Sequence, residues 1–252
     1  MADPVILETY DSERRPVAEE LMEMDRYLVQ AYEQDNNALD AVEEIRRRYS
    51  GFMSGVPITY QPSVLVSGPK ECDGDTSFAK GIKLGMRLPS FPVIRQADGV
   101  CIPLADTLAS DGSWRLVAFP GDIRQPKTMK RLTDFSEDFS KLSHLSPVIR
   151  EGFPLIGTVL VHSSPRLSVN ILDLPNVFRP FDETLGYDYW RVFADDAEID
   201  MASGPAYKGY GIQGDRELLV LCRPDQHVAW IGGMEETAAL NCFFEGFAEK
   251  RG

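Results

Sequence analysis

The chain has 252 residues, of which 43% are hydrophobic and 26% are charged, as in a globular protein long enough to bury a sizeable core. Its formal net charge is −13, and such an excess of carboxylates disfavours nucleic acid and anionic membrane surfaces as partners. No apolar run is long enough to predict a transmembrane helix, and no secretory signal is expected.

The four cysteines are widely spaced and form no C-x-x-C pair; they are Cys72, Cys101, Cys222 and Cys242. This spacing favours reduced thiols in an intracellular protein over a disulfide framework. We therefore expect a cytoplasmic protein.

Residues 1–60 are predicted to form an α-helical arm. Between residues 5 and 32, apolar side chains recur at steps of three and four, as on one face of a helix about four turns long after Pro16. These side chains are Val17, Leu21, Met24, Leu28 and Ala31. A second helix is predicted from Ala38 to Tyr49. Residues 61–84 are rich in Ser, Gly, Pro and charged residues, which predicts a linker or mobile loop.

Residues 85–252 alternate short apolar strands with amphipathic helices. The predicted elements are strands at 100–104, 114–119, 155–162 and 187–193, helices at 126–142 and 235–249, and a hairpin of 217–222 with 227–231. A strand, a helix and a strand, followed by a hairpin and a helix, is the element order of a thioredoxin-like α/β domain. The fold class is therefore α/β, a thioredoxin-like domain preceded by the helical arm.

Several motifs resemble the C-terminal part of the FAD-dependent phenol hydroxylase family. They are Thr9-Tyr10 with Glu13-Arg14, Pro16, Ala18 and Leu21; Gly85-Met86-Arg87-Leu88-Pro89; 108–119 around Asp111-Gly112; Tyr187-Asp188 with Asp195; Tyr207 with Gly211-Ile212; and 219–229 around Arg223-Pro224-Asp225. The resemblance implies a thioredoxin-like domain that serves mainly in dimerisation and in packing against a flavin domain. The arm resembles the last helix of that flavin domain.

Other motifs of such enzymes are missing from this sequence. No G-x-G-x-x-G turn in a βαβ context is present to hold an FAD pyrophosphate, so we expect no cofactor and no flavin hydroxylation by this chain alone. Thiol chemistry is also not expected, because 120–124, which follows the first central strand, contains no cysteine. Cys101 and Cys222 are predicted to be inert core residues.

The three histidines lack the spacing of metal ligands, so no metal site is predicted. His162 ends a central strand, where α/β folds often place ligands, although a partly solvated histidine beside a loop is the favoured interpretation. His227 is predicted to face solvent in a turn, and the third histidine is His144.

An aromatic cluster between residues 178 and 210 is the main candidate for binding a hydrophobic small molecule. The candidate substrate-binding residues are Tyr187, Tyr189, Trp190 and Phe178, with Met24 and Leu28 from the arm. The candidate catalytic residues are Tyr207, Tyr210, His162 and Arg223. For the aromatic cluster itself, a core seam or an intersubunit contact is the favoured alternative. Arg223 is expected first as a turn residue that binds an anion or a loop carboxylate.

Three functional hypotheses follow. The first is a cofactor-free isomerase or cyclase that acts on a hydrophobic natural-product intermediate by holding a reactive conformer and polarising it with Tyr or Arg donors. The second is a non-catalytic module that forms a homodimer or partners a separate flavoprotein. The third is a fragment of a longer hydroxylase.

Overall fold

The structure is a computed structural model that describes residues 5–33, 38–55, 58–68, 79–142, 156–196, 205–212 and 216–246. The helices are α1 Val5–Tyr32, α2 Ala38–Ser54, α3 Pro126–Lys141, α4 Ala206–Tyr210 and α5 Thr237–Glu245. The strands are β1 Pro92–Arg95, β2 Cys101–Pro103, β3 Trp114–Gly121, β4 Ile156–His162, β5 Phe181–Asp182, β6 Gly186–Tyr187, β7 Val192–Ala194, β8 Leu218–Cys222 and β9 Val228–Gly232. No helix within these ranges is long and apolar enough to cross a membrane.

The arm consists of α1 and α2, which pack against each other. The rings of Tyr27 and Tyr49 lie 6.4 Å apart, and the guanidinium of Arg48 lies 5.7 Å from the Tyr27 ring. Helix α1 continues through Pro16 and has 28 residues, over the range 5–32 in which the helical pattern was recognised.

The buried face of α1 differs from the predicted apolar stripe. The residues that it buries are Thr9, Glu13, Met24 and Ala31, whereas Leu21 of the predicted stripe is 45% exposed. Leu28 is half-buried. At about 100° per residue, the buried face is rotated by roughly 40° from the predicted stripe. The rotation turns Glu13 towards the protein interior.

The domain is built on a seven-stranded sheet with the order β2-β1-β7-β4-β3-β8-β9. Strands β3 and β4 are parallel and are connected through α3, and β8 and β9 form an antiparallel hairpin beside β3. All residues of β4, β8 and β9 are buried, which explains why these strands read as continuous apolar runs. The α/β, thioredoxin-like fold with a helical arm is confirmed.

Apolar layers cover both faces of this sheet. On one face, Phe135 of α3 and Phe244 of α5 pack around Trp230. On the other face, Phe119 and Phe193 pack with Tyr207 and with Ile82, which lies in the predicted linker. The ends of that linker which the structure describes are therefore part of the core, while residues 69–78 lie outside the described ranges.

The predicted strand at 187–193 is wrong as a continuous element. It is divided into β6 and β7 by a turn in which the Asp188 carboxylate accepts hydrogen bonds from the Trp190 backbone at 3.0 Å and from the Arg191 side chain at 2.5 Å. Side-chain capping of this kind competes with strand pairing. The other predicted strands and the helix predicted at 126–142 are confirmed. The helix predicted at 235–249 is observed as α5 over Thr237–Glu245, and residues 247–249 lie outside the described ranges. Strands β1 and β5 were not predicted.

Candidate functional site

The arm is fixed to the domain by a buried ion pair. Arg223, at the end of β8, donates hydrogen bonds to both carboxylate oxygens of Glu13, at 2.5 and 3.0 Å. It also donates to Asp225 at 2.9 Å. Both Glu13 and Arg223 are buried, so the two-pronged geometry compensates charges that have lost their water. Arg223 was expected to bind either an anion or a loop carboxylate, and it binds the loop carboxylate of Asp225. Its second partner, Glu13 of the arm, was not predicted.

An aromatic stack lies directly behind this ion pair. The Tyr60 ring stacks on His227 with centroids 4.3 Å apart, and the Arg223 guanidinium lies 5.1 Å from the Tyr60 centroid. His227 is therefore buried, and the expectation that it faces solvent is wrong because Tyr60 covers it. Burial would raise the pKa of Asp225, but the close contact with His227 and the charge of Arg223 outweigh burial and lower that pKa to about 2.

Glycine is required where the chain passes Tyr60. Gly85 has φ +77°, and a Cβ placed on it would lie 1.9 Å from the Tyr60 carbonyl oxygen. Two residues later, the Arg87 guanidinium donates to the Gln226 side chain at 2.8 and 3.1 Å. Gln226 itself has φ +70°, and Ser110 donates to the Pro224 carbonyl oxygen at 2.7 Å. These contacts hold the β8–β9 turn in one conformation.

Four of the sequence motifs therefore meet at one place, which we call the arm joint: Glu13, Tyr60, Gly85, Arg87, Ser110 and residues 223–227. Sequence reasoning placed Arg223 among catalytic candidates and did not select Glu13 or Tyr60. The signal was present in the motifs, since Glu13, Gly85 and Arg223 each lie in one. What the sequence did not show was that these motifs contact each other.

The carboxyl ends of β3 and β4, where thioredoxins carry their cysteines, are closed by Tyr207. Its hydroxyl donates to the Val161 carbonyl oxygen and accepts from the Gly121 amide, both at 2.8 Å, and burial raises its pKa. Asp195 accepts hydrogen bonds from the first amides of α4 at 2.7 and 2.9 Å. Tyr207 and Asp195, both motif residues, thus fix α4 against the sheet.

The hydroxyl of Tyr210 is also engaged by the backbone. It donates to the Pro89 carbonyl oxygen at 2.6 Å, and its ring meets Phe91 edge-on at 4.8 Å. A Cβ on Gly209 would lie 2.4 Å from the Phe91 ring, so this close approach requires glycine.

His162 is fully buried at the end of β4, and the favoured interpretation of a partly solvated histidine is wrong. Its Nε2 lies 3.2 Å from the Gln96 side-chain oxygen. The Gln96 amide nitrogen donates to the carbonyl oxygens of Arg166 and Val169, so its oxygen is the acceptor and His162 Nε2 carries the proton. Burial lowers the pKa of His162 to about 4.

This depressed pKa predicts a pH-dependent stability. As pH falls below about 6.5, His162 becomes protonated in the unfolded chain, whereas in the folded protein it stays neutral down to about pH 4. We expect about 3 kcal/mol of stability, complete above pH 6.5, to be lost between pH 6.5 and pH 4. Urea unfolding at several pH values should show a shallower slope in that window for His162→Gln. Equal slopes for the two proteins would contradict the assignment.

The proposed substrate-binding residues do not line one pocket. Phe178 packs on Phe135 on one face of the sheet, whereas Tyr207 and Tyr210 belong to the opposite face. Tyr187 is exposed, and its ring contacts Phe181 at 4.9 Å and Tyr189 at 5.9 Å. Met24 is buried and Leu28 half-buried within the arm. Trp190 lines an open groove, whose lining residues all belong to the domain.

The cysteines occupy different environments. Cys222 is buried, and burial raises the pKa of its thiol to about 12. Cys101 is exposed, so its expected place in the core is wrong; β2 is an edge strand whose outer side faces solvent. Cys72 and His144 lie outside the described residues.

The described residues do not fit an FAD pyrophosphate. The turn from β3 to α3, where a βαβ unit binds phosphates, presents the Asp122 carboxylate. Asp122 accepts hydrogen bonds from Arg124 and Ser164, which lower its pKa far below the usual range. It is therefore ionised and would repel a phosphate. Within the described ranges, no three His, Cys, Asp or Glu side chains come together as a metal site would require.

Comparison with known proteins identifies the family. A family model described as the phenol hydroxylase C-terminal dimerisation domain matches residues 58–252. The chain belongs to this family. The resemblance inferred from the motifs is thereby confirmed.

Members of the phenol hydroxylase family include longer relatives. Phenol 2-monooxygenase fsqG of Aspergillus fumigatus is 33% identical over 97% of this chain and 40% of its own length. FAD-dependent monooxygenase terD of Aspergillus terreus is 31% identical, over 100% of this chain and 43% of its own length. The chain therefore spans about 40% of the length of these relatives, and the alignments include the arm.

Two solved structures show the extent of the structural similarity. The match to the OxyS anhydrotetracycline hydroxylase of Streptomyces rimosus covers 100% of this chain and 37% of the hydroxylase chain, at 16% identity and a TM-score of 0.48. The match to the thioredoxin domain of a thiol-disulfide oxidoreductase of Bacteroides vulgatus covers 62% of this chain and 93% of that domain's chain, at 13% identity and a TM-score of 0.36.

Proposed function

We propose that this chain acts as the C-terminal dimerisation portion of an FAD-dependent aromatic monooxygenase, whose flavin-binding part carries the chemistry. The observation that supports this proposal most is the alignment: monooxygenase relatives match the arm and the domain together while the chain spans about 40% of their length. The cofactor and the oxygenated substrate would then be held outside this chain.

The arm has the surface that such a role needs. Its buried face is occupied, and Glu13 fixes it to the domain. Large apolar residues nevertheless remain exposed on α1, namely Leu7, Tyr10, Leu21, Met22, Val29 and Tyr32. An exposed apolar surface of this kind suits contact with another protein surface. In this proposal the arm joint holds the helix at a fixed angle so that this surface can pack against a flavin-binding part.

A cofactor-free isomerase or cyclase has less support. That hypothesis needs Tyr207 or Tyr210 to donate to a substrate, but both hydroxyls donate to backbone carbonyl oxygens. It also needs a cavity beside them with the arm as its roof, whereas the groove at Trp190 is lined by domain residues. Arg223, the other candidate donor, is bound to Glu13 and Asp225.

Mapping the transcript and purifying the protein from its source through a C-terminal tag test the proposal together. We expect either an in-frame flavin-binding sequence upstream of Met1 or a separate flavoprotein that co-purifies in a fixed ratio. The first result places the flavin on the same polypeptide, and the second makes it a partner. A stop codon directly before Met1, combined with a flavin-free preparation, would contradict the proposal.

A further inference from the structure

One part of the sheet is left uncovered and forms a groove. On the face that carries Phe119 and Phe193, the covering layer does not extend over the amino-terminal ends of β3 and β4. The result is an open groove of about 550 Å³. Its floor includes Gly157, Val159 and Phe193, and Ile102 of β2 contributes an apolar wall. A volume of this size is within the range of small-molecule sites.

Three arginines line the groove, and they are not equivalent. Arg115 is paired with Asp111 at 2.5 Å, and Arg191 is paired with Asp188 at 2.5 Å. These four charges cancel one another, and one further carboxylate, that of Asp106, also lines the groove. Arg95 is different, because its nearest carboxylate, on Asp98, is 3.5 Å away.

The guanidinium of Arg95 is therefore a donor without a good acceptor. Its Nε atom is buried and has no hydrogen-bond partner within the part of the chain that the structure describes. A buried donor without an acceptor is unfavourable, and an incoming acceptor would relieve that penalty. A planar guanidinium binds a carboxylate through two parallel hydrogen bonds.

Trp190 supplies an aromatic surface beside this donor. The indole lies at the rim of the groove, and the Trp190 side chain is 57% exposed. The Arg95 guanidinium lies 4.8 Å from the centroid of the indole ring. The contact holds Arg95 against one face of the indole. An exposed tryptophan next to an apolar floor offers area for an aromatic ring.

We propose that this groove binds a small aromatic carboxylate, with the carboxylate on Arg95 and the ring between Trp190 and the apolar floor. Arg95, whose partner Asp98 lies at a long 3.5 Å, offers one guanidinium for a singly charged group. A phosphate dianion would retain excess charge in a protein whose net charge is −13. The inference stands apart from the proposed dimerisation role, since a domain without any partner would present the same groove.

Benzoate, benzamide and acetate, titrated separately by calorimetry and by ligand-observed NMR, test the charge and the ring independently. We expect benzoate to bind with a Kd on the order of 1 mM, as a contact with one arginine and one aromatic wall allows. Benzamide lacks the charge and acetate lacks the ring, so each should bind about tenfold more weakly or worse.

Variants locate the ligand. Arg95→Met should weaken benzoate binding about tenfold or more, whereas Arg47→Met, which removes an equal charge from the exposed surface of α2, should leave it unchanged. Trp190→Leu changes an exposed side chain and should weaken binding severalfold, which keeps the test decisive if Arg95→Met does not fold. Absence of benzoate binding, equal binding of benzoate and benzamide, or unchanged affinity in both groove variants would overturn the proposal.

Discussion

Glu13→Ala is expected to destabilise the protein by about 3–5 kcal/mol, since it leaves the charge of Arg223 buried without its arm partner. Asp225 remains 2.9 Å from Arg223, but it reaches only one guanidinium nitrogen and cannot replace the paired contact. The loss should be visible in urea unfolding followed by circular dichroism, and in faster hydrogen exchange of α1 amides as the arm detaches.

Two further variants distinguish the ion pair from a general effect on the helix. Asp11→Asn removes an exposed carboxylate that lies half a helical turn before Glu13 and pairs with Arg15. This change should alter stability by less than about 0.5 kcal/mol. The double variant Glu13→Met with Arg223→Met should recover much of the loss, since no charge stays buried. A loss below about 1 kcal/mol for Glu13→Ala would show that the arm is held elsewhere.

Gly85→Ala is expected to cost about 4 kcal/mol or more. Two effects combine at this position: the left-handed φ of +77° and the overlap of a Cβ with the Tyr60 carbonyl oxygen at 1.9 Å. The first costs about 1 kcal/mol. The second forces apart two backbone segments, and with them the stack of Tyr60 on His227, as overpacking does elsewhere in protein interiors.

Gly112→Ala provides the matched control. Gly112 has φ +87°, but nothing lies within 4 Å of a Cβ placed there. It should therefore lose only the conformational term, about 1 kcal/mol. Thermal unfolding of the two variants measures the difference. Similar losses in both would mean that the segments around Gly85 separate without penalty, which would contradict the tight arm joint.

Apart from the edge strand β2, the strands that could be predicted from sequence are those buried on both faces. The apolar runs of β3 and β4 and the hairpin of β8 with β9 leave little choice of conformation, because any other placement would expose them. The segment 187–193 was misassigned because a single side chain, Asp188, binds the backbone and turns the chain. Such local capping overrides an aromatic pattern that otherwise favours a strand.

The functional contacts were less predictable, for a different reason. Glu13 and Arg223 are separated by 210 positions, and no periodicity links them. Both residues lie in motifs of the family, but the motifs did not show that Glu13 faces inwards, since the apolar stripe of α1 suggested a face roughly 40° away. Aromatic residues that are close in sequence, such as Phe178 and Tyr207, lie on opposite faces of the sheet, so clustering in sequence did not produce a pocket.

The central claim, that this chain is a dimerisation domain, is tested most directly by its mass in solution. Size-exclusion chromatography with light scattering over the micromolar range should give twice the 28.2 kDa of one chain. Dilution should convert the dimer to monomer only at the lowest concentrations. A mass of 28.2 kDa at every concentration would contradict the account.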